Sequence, residues 1–223
     1  MSTTAQHLLE RAAQQARGLR TMYERGRGRR AWLRERHASS PPFRTAVAHD
    51  VAANLTYRGE ARGSLSRTEL VAETIRLALT SDAFFAQLLY RMRVLAVRRS
   101  VPMVPRLCHI GAMVTSQVCI GDPVVIAPGL YLPHGQVVID GITDVGSDVI
   151  VFPWTTIGLR AGDFHGPHVG NGVRVGTGAK VIGKVSVGDG VQVGANAVVV
   201  DDVPASATVV GVPGRPLPAD VHG

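Results

Sequence analysis

Several kinds of residue are scarce in this 223-residue sequence, and each scarcity narrows what the chain can be. There are two cysteines, Cys108 and Cys119, with no CxxC and no Cys/His ligand spacing, which argues against a disulfide framework and a structural zinc. No apolar run approaches the ~20 residues of a membrane span. The polar start Met1-Ser-Thr-Thr-Ala-Gln also lacks the apolar core of a signal peptide. A cytoplasmic protein with no membrane partner and no metal is expected. Aromatics make up 5% and charged residues 18%, so the core must be filled by aliphatics.

The formal net charge of +7 suggests nucleic acid until it is located. Residues 1–40 hold Arg11, Arg17, Arg20, Arg25, Arg27, Arg29, Arg30, Arg34 and Arg36 against Glu10, Glu24 and Glu35, which is nearly all of the excess. No recognition module accompanies the run Arg25-Gly-Arg-Gly-Arg-Arg30. The expectation is a basic, partly disordered arm and no nucleic-acid partner.

Glycine is plentiful, at 25 residues, and it falls in a pattern. An aliphatic residue returns every sixth position at Val169, Val175, Val181, Val187, Val193 and Val199. Gly170, Gly176, Gly188 and Gly194 follow four of these, and Val173, Ala179, Val185, Val191, Ala197 and Val203 sit four places on. A strand repeats every two residues and a helix every 3.6, so neither gives a strict six. A parallel coil with three flat faces of six residues does.

Four zones follow: a basic arm (1–45), a helical domain (46–105), a coil (106–212) and an extended tail (213–223). In the second zone Ser66-Arg-Thr-Glu69 reads as a capping box, followed by Leu70, Ile75, Leu77 and Leu79. A helix from Ser81-Asp82 carries Phe84, Phe85, Leu88, Leu89, Met92, Leu95 and Ala96 at spacings of three and four. Pro102 and Pro105 are expected to stop it. In the coil, the step from Leu132 to Val145 exceeds two repeats by one residue, which places a bulge just after His134. Asp163 and Phe164 occupy repeat slots meant for an aliphatic and a glycine, so residues 159–168 are expected to leave the coil as a loop. The open ends and flat sides of such a coil favour association, with trimers as the expectation and the helices as candidate caps.

Scaffolds of this kind mostly serve acyl transfer, which needs a base near neutral pKa, oxyanion donors and a channel for the thioester. Histidine is the natural base. Of the eight here, His134 stands out, because Tyr131-Leu-Pro-His-Gly-Gln136 breaks the repeat.

Tyr131-Leu-Pro-His-Gly-Gln-Val-Val-Ile139, Thr155-Thr-Ile-Gly158, Val175-Gly-Thr-Gly-Ala-Lys-Val-Ile-Gly183, Val193-Gly-Ala-Asn-Ala-Val-Val-Val200 and Gly211-Val-Pro-Gly-Arg215 resemble, in order and spacing, the serine O-acetyltransferase family. The resemblance covers roughly residues 80–215. It implies a mainly β fold: a left-handed parallel β-helix of hexapeptide repeats with an N-terminal α-helical domain. It also implies acetyl-CoA as co-substrate, bound between adjacent subunits of a homotrimer or dimer of trimers. His134 becomes the general base, and Thr177 and Ala195 fall where the backbone holds the pantetheine arm. Lys180 and Arg215 would supply charge to the CoA phosphates.

The chain departs from the family on the acceptor side. Where the family has an Asp directly before the catalytic histidine, this chain has Pro133. Where it has an Asp fifteen residues earlier, this chain has Cys119. The loop is two residues shorter, and the family's Arg-His pair aligns with His165-Gly166. Asp122, Asp140, Asp144 and Asp163 are candidates to orient His134. His165 is a candidate second contact to the acceptor, and Cys119 is either a coil-filling residue or a nucleophile with a lowered pKa. An acceptor amine without its carboxylate loses several kcal/mol of binding, which argues against serine. The reading is an acyl-CoA-dependent acyltransferase acting on a hydroxyl or amine of a small molecule. The alternatives are a sugar- or antibiotic-type acetyltransferase and a catalytically inactive CoA-binding homologue.

Overall fold

A computed structural model describes residues 28–216. The first part of the basic arm, including Arg25 and Arg27, and the end of the tail lie outside the described residues. Residues 28–36 are helical (α1), so the arm expected to be partly disordered is ordered from there on. Helices α2 (Phe43–Tyr57), α3 (Arg67–Thr80), α4 (Asp82–Arg98) and α5 (Val104–Ser116) follow. The capping box is present: the Ser66 hydroxyl accepts from the Glu69 amide at 3.3 Å, and the Glu69 carboxylate accepts from the Ser66 amide at 2.8 Å. Of the apolar residues read on that helix, Leu77 is buried, whereas Ile75 and Leu79 are exposed.

α5 was not anticipated. Pro105 stands in its first turn, where the missing N–H has no intrahelical acceptor to lose, so the proline opens a helix instead of stopping one. The coil accordingly begins at Val118, not near residue 106.

The strands run in chain order as β1 (Val118–Ile120), β2 (Val125–Ile126), β3 (Val137–Ile139), β4 (Ile142–Val145) and β5 (Ile150–Val151). Then come β6 (Thr156–Gly158), β7 (His165–Val169), β8 (Arg174–Val175), β9 (Lys180–Ile182) and β10 (Ser186–Val187). The last are β11 (Gln192–Val193), β12 (Val198–Val199), β13 (Thr208–Val210) and β14 (Arg215–Pro216). They form three sheets, and the chain visits them in rotation. Face 1 stacks β1-β3-β6-β9-β12, face 2 stacks β2-β4-β7-β10, and face 3 stacks β5-β8-β11-β13-β14. All pairings are parallel except β13 with β14. The tail residues Arg215 and Pro216, expected to lie outside any sheet, thus pair with Val210 and Val209.

Register explains both irregularities. Val169 lies beside Val187 and Val181 beside Val199, a turn of three six-residue faces. Val118 lies beside Val137 and Tyr131 beside Ile150, one residue more, while Val138 beside Thr156 restores the period. The extra residue therefore falls between Tyr131 and Val138, at the His134 corner. Val145 beside Val169 and Ile157 beside Val181 are separated by six residues more than a turn. Five of the six precede His165, which lies beside Ile142, and the sixth is taken up in the bulge before His168. The expected loop of 159–168 is too long, because His165–Val169 is strand, bulged against β4 between Ile142 and Asp144.

Val169, Val175, Val181, Val187, Val193 and Val199 all point inward and are buried, as are the residues four places on. Gly170, Gly176 and Gly188 are needed for close approach: a Cβ there would meet the backbone of the next coil at 2.5–2.8 Å. The left-handed corner positions fall on other residues. Gln117, Gln136, Trp154, Gly178 and Asn196, with φ of 55–74°, stack one above another where face 3 turns into face 1.

α4 lies across the open end of the first coil. Its Tyr90 hydroxyl donates to Val124 O and accepts from Ile126 N. Arg91 donates to Ile126 O and Ala127 O at 2.7 and 2.8 Å, Arg93 to Ile120 O and Gly121 O, and Gln87 to Leu130 O. These side chains pair carbonyls that the first coil, lacking a coil beneath it, would otherwise bury unpaired. This is also why the apolar stripe read on α4 is only partly the buried one. Phe84 and Ala96 are buried, but so are Gln87, Arg91 and Arg93, while Met92 is 40% exposed. Asp50 on α2 completes the cap, holding Arg91 through two bonds of 2.7 and 3.0 Å and accepting from Gly129 N. α1 clasps the side: Arg29 pairs with Asp122, Arg36 pairs with Asp144, and buried His37 bonds to Asp122 O at 2.8 Å.

Two outcomes follow. Asp50→Ala leaves a buried guanidinium without its counter-charge and lowers stability by about 3–5 kcal/mol, read from the urea midpoint. Burial holds the His37 imidazole below its ordinary pKa. Its contribution is therefore complete above about pH 6.5 and is lost as the pH falls and the unfolded chain takes up the proton first. Urea midpoints between pH 7.5 and 5 should fall in the native chain, and His37→Gln should remove that part of the dependence.

Candidate active site

His134 stands on the corner between face 3 and face 1, where the extra residue swings it outward, and it is exposed. The corner is braced from behind by α5: the Gln136 amide donates to Ser116 O at 3.0 Å. Gly135 is obligatory for that contact, since a Cβ would lie 1.8 Å from the same oxygen. The next corner upward is tied in through Trp154 N to Gln136 O at 2.8 Å, and those above through Gly178 N to Pro153 O and Asn196 N to Thr177 O. Thr177 and Ala195 are therefore on the same edge of the prism as His134, two and three coils above it and exposed. At ~4.8 Å per coil the span is roughly 10–15 Å. Gly176 and Gly194 let successive coils close up here, a Cβ on either meeting the next coil at 2.8 Å.

The other site residues fall elsewhere. Cys119 does not fill the coil: on β1 the buried residues are Val118 and Ile120, and Cys119 points outward, half-buried. Burial, reinforced by Asp140, pushes its thiol pKa up, the opposite of what a nucleophile needs. Asp163 accepts from the His165 backbone amide at 2.9 Å and pairs with its Nδ1 at 2.8 Å. Those bonds, the backbone one first, hold the Asp163 carboxyl below its usual range. This pair sits at the opposite edge of face 1 from His134, across roughly 15 Å at ~3.3 Å per residue. Within one chain neither member reaches His134. Asp122 and Asp144 are engaged by the α1 arginines.

Lys180 is not directed to the far end of the edge. Its ammonium is held by the Trp154 carbonyl, on the coil next to His134. Arg215 lies at the last coil, exposed and paired with Asp201 at 3.4 Å. Among the described residues no group of three or more His, Cys, Asp and Glu could hold a metal, and no helix is long and apolar enough to cross a membrane.

Phe152 and Trp154 were missed in the sequence. They occupy the corner directly above His134, 38% and 60% exposed. The available signal was the scarcity of aromatics: Trp154 is one of two tryptophans in the chain and lies inside a repeat that needs none.

No family model matches the chain. A serine acetyltransferase of Synechococcus elongatus is 32% identical over 146 residues, covering 63% of this chain and 59% of that protein. One from Synechocystis sp. is 44% identical over 119 residues, covering 52% and 47%. The chain thus spans about half the length of these curated relatives. A solved serine acetyltransferase in complex with CoA superposes with a TM-score of 0.66 at 26% identity, covering 82% of this chain and 73% of that one. In sequence and in fold, the chain is related to the serine acetyltransferases.

Proposed function

We propose that the chain is a cytoplasmic, acyl-CoA-dependent acyltransferase, built on a left-handed coil and active as a side-by-side homotrimer, alone or paired. The observation that carries this reading is the shared edge. His134, Thr177 and Ala195 are far apart in sequence yet lie along one corner of the prism, as a base and the track for a thioester arm must. Because Asp163 and His165 sit at the other edge of the same face, a neighbouring copy is the means of bringing them to His134.

In this mechanism the neutral His134 imidazole takes the proton from an acceptor hydroxyl or amine as that atom attacks the thioester carbonyl. The tetrahedral oxyanion is held by backbone amides of the edge. Its collapse breaks the C–S bond, and the departing thiolate recovers the proton from the imidazolium. Base catalysis of this kind contributes about 10²–10⁴-fold. The relatives' name and the CoA complex of a neighbour support acetyl-CoA as donor.

His134→Ala should lower thiol release from acetyl-CoA by at least about 10²-fold while leaving calorimetric CoA binding unchanged. Turnover equal to the native chain would remove His134 from the role of base.

A further inference from the structure

The positive-φ corner above His134 holds an improbable residue. At this corner the coils below and above place Gln117, Gln136, Gly178 and Asn196, a glycine and unbranched amides without a ring. The coil between them places Trp154 at φ 64°. A bulky aromatic is a true outlier in this region, where any Cβ already crowds the backbone and a large ring adds to it. Strain of that kind persists where it serves a site. The side chain gains no burial in exchange, since it is 60% exposed. The surface beside it is largely apolar. Phe152 adjoins it, Val138 lies beside Cys119 on face 1, and Pro133 precedes His134. The nearby ammonium of Lys180 is occupied by the Trp154 carbonyl itself.

Resting on the acyltransferase reading, we infer that Trp154 is a specificity residue for the acceptor. Its indole, with Phe152, forms an apolar shelf one coil above the base. The acceptor is then a hydroxyl compound with a flat apolar body, which stacks there while presenting its oxygen to His134. A zwitterionic amino acid finds no carboxylate for its ammonium at this shelf, only the Lys180 ammonium for its own carboxylate.

The test is Trp154→Asn in the full chain, Asn being the residue that Asn196 shows to fit this corner. Relief of strain should keep the thermal midpoint level or raise it. Thiol release from acetyl-CoA is followed with 2-phenylethanol, 1-propanol and L-serine, and assembly by sedimentation. The native chain should favour 2-phenylethanol. The variant should raise KM for that alcohol by about tenfold and leave KM for acetyl-CoA and the assembly state unchanged. A rise in KM for acetyl-CoA would assign the indole to the donor, and a change of assembly would assign it to an interface. Preference for L-serine, or an unaltered KM for the alcohol, would overturn the inference while sparing the acyl-transfer reading. If no acceptor releases thiol, that reading fails by itself. Calorimetric binding of 2-phenylethanol then decides, with tighter binding to the native chain upholding the role of Trp154 and equal or absent binding ending it.

Discussion

The structure depends on how the first coil's exposed strand edge is paired. A parallel coil satisfies its backbone only through the coil above and the coil below, and the first coil has none below. Its carbonyls at Ile120, Gly121, Val124, Ile126, Ala127 and Leu130 are met by four polar side chains of α4. Those side chains are buried as a consequence, and Arg91 in turn requires the Asp50 carboxylate. Without this polar interlock the aliphatic stack above would rest on unpaired backbone, at a cost comparable to a lost hydrogen bond for each group. The helical domain is therefore the missing rung of the coil.

The same arrangement positions the site. α5 follows α4, packs against it and ends at Ser116, whose carbonyl receives the Gln136 amide. The corner carrying His134 is thus referenced to the cap as well as to the coil. The extra residue that pushes the imidazole outward is absorbed between two fixed points, Tyr131 and Val138. A side chain on a free loop would lack that precision.

What could be read from the residues depended on what each residue faces. Val169 through Val203 announce the coil because their inward neighbours are copies of themselves, so period and burial agree. The bulge at His134 was legible as a phase error. The excursion was hidden in the count because loop and β7 bulge together add six residues, which equal one face and leave the phase intact. Only the wrong residue types at Asp163 and Phe164 betrayed it. The buried side of α4 was misread because an apolar stripe presumes an apolar partner, whereas this helix covers peptide carbonyls. Of the candidate site, His134, Thr177 and Ala195 are named from sequence, and the fold brings the three to one edge. The special status of Trp154 could not be read from sequence, because a left-handed backbone angle is a property of the fold and not of the residue.

At the opposite end the chain turns back on itself. Gly211 O accepts from Val198 N, Gly214 N donates to Val198 O, and β14 runs antiparallel along β13. A parallel stack finished by a reversed strand presents the wrong polarity to any further parallel rung. Together with the helical floor, this turnback leaves face 3, among the described residues, without a parallel strand edge on which a further rung could be laid.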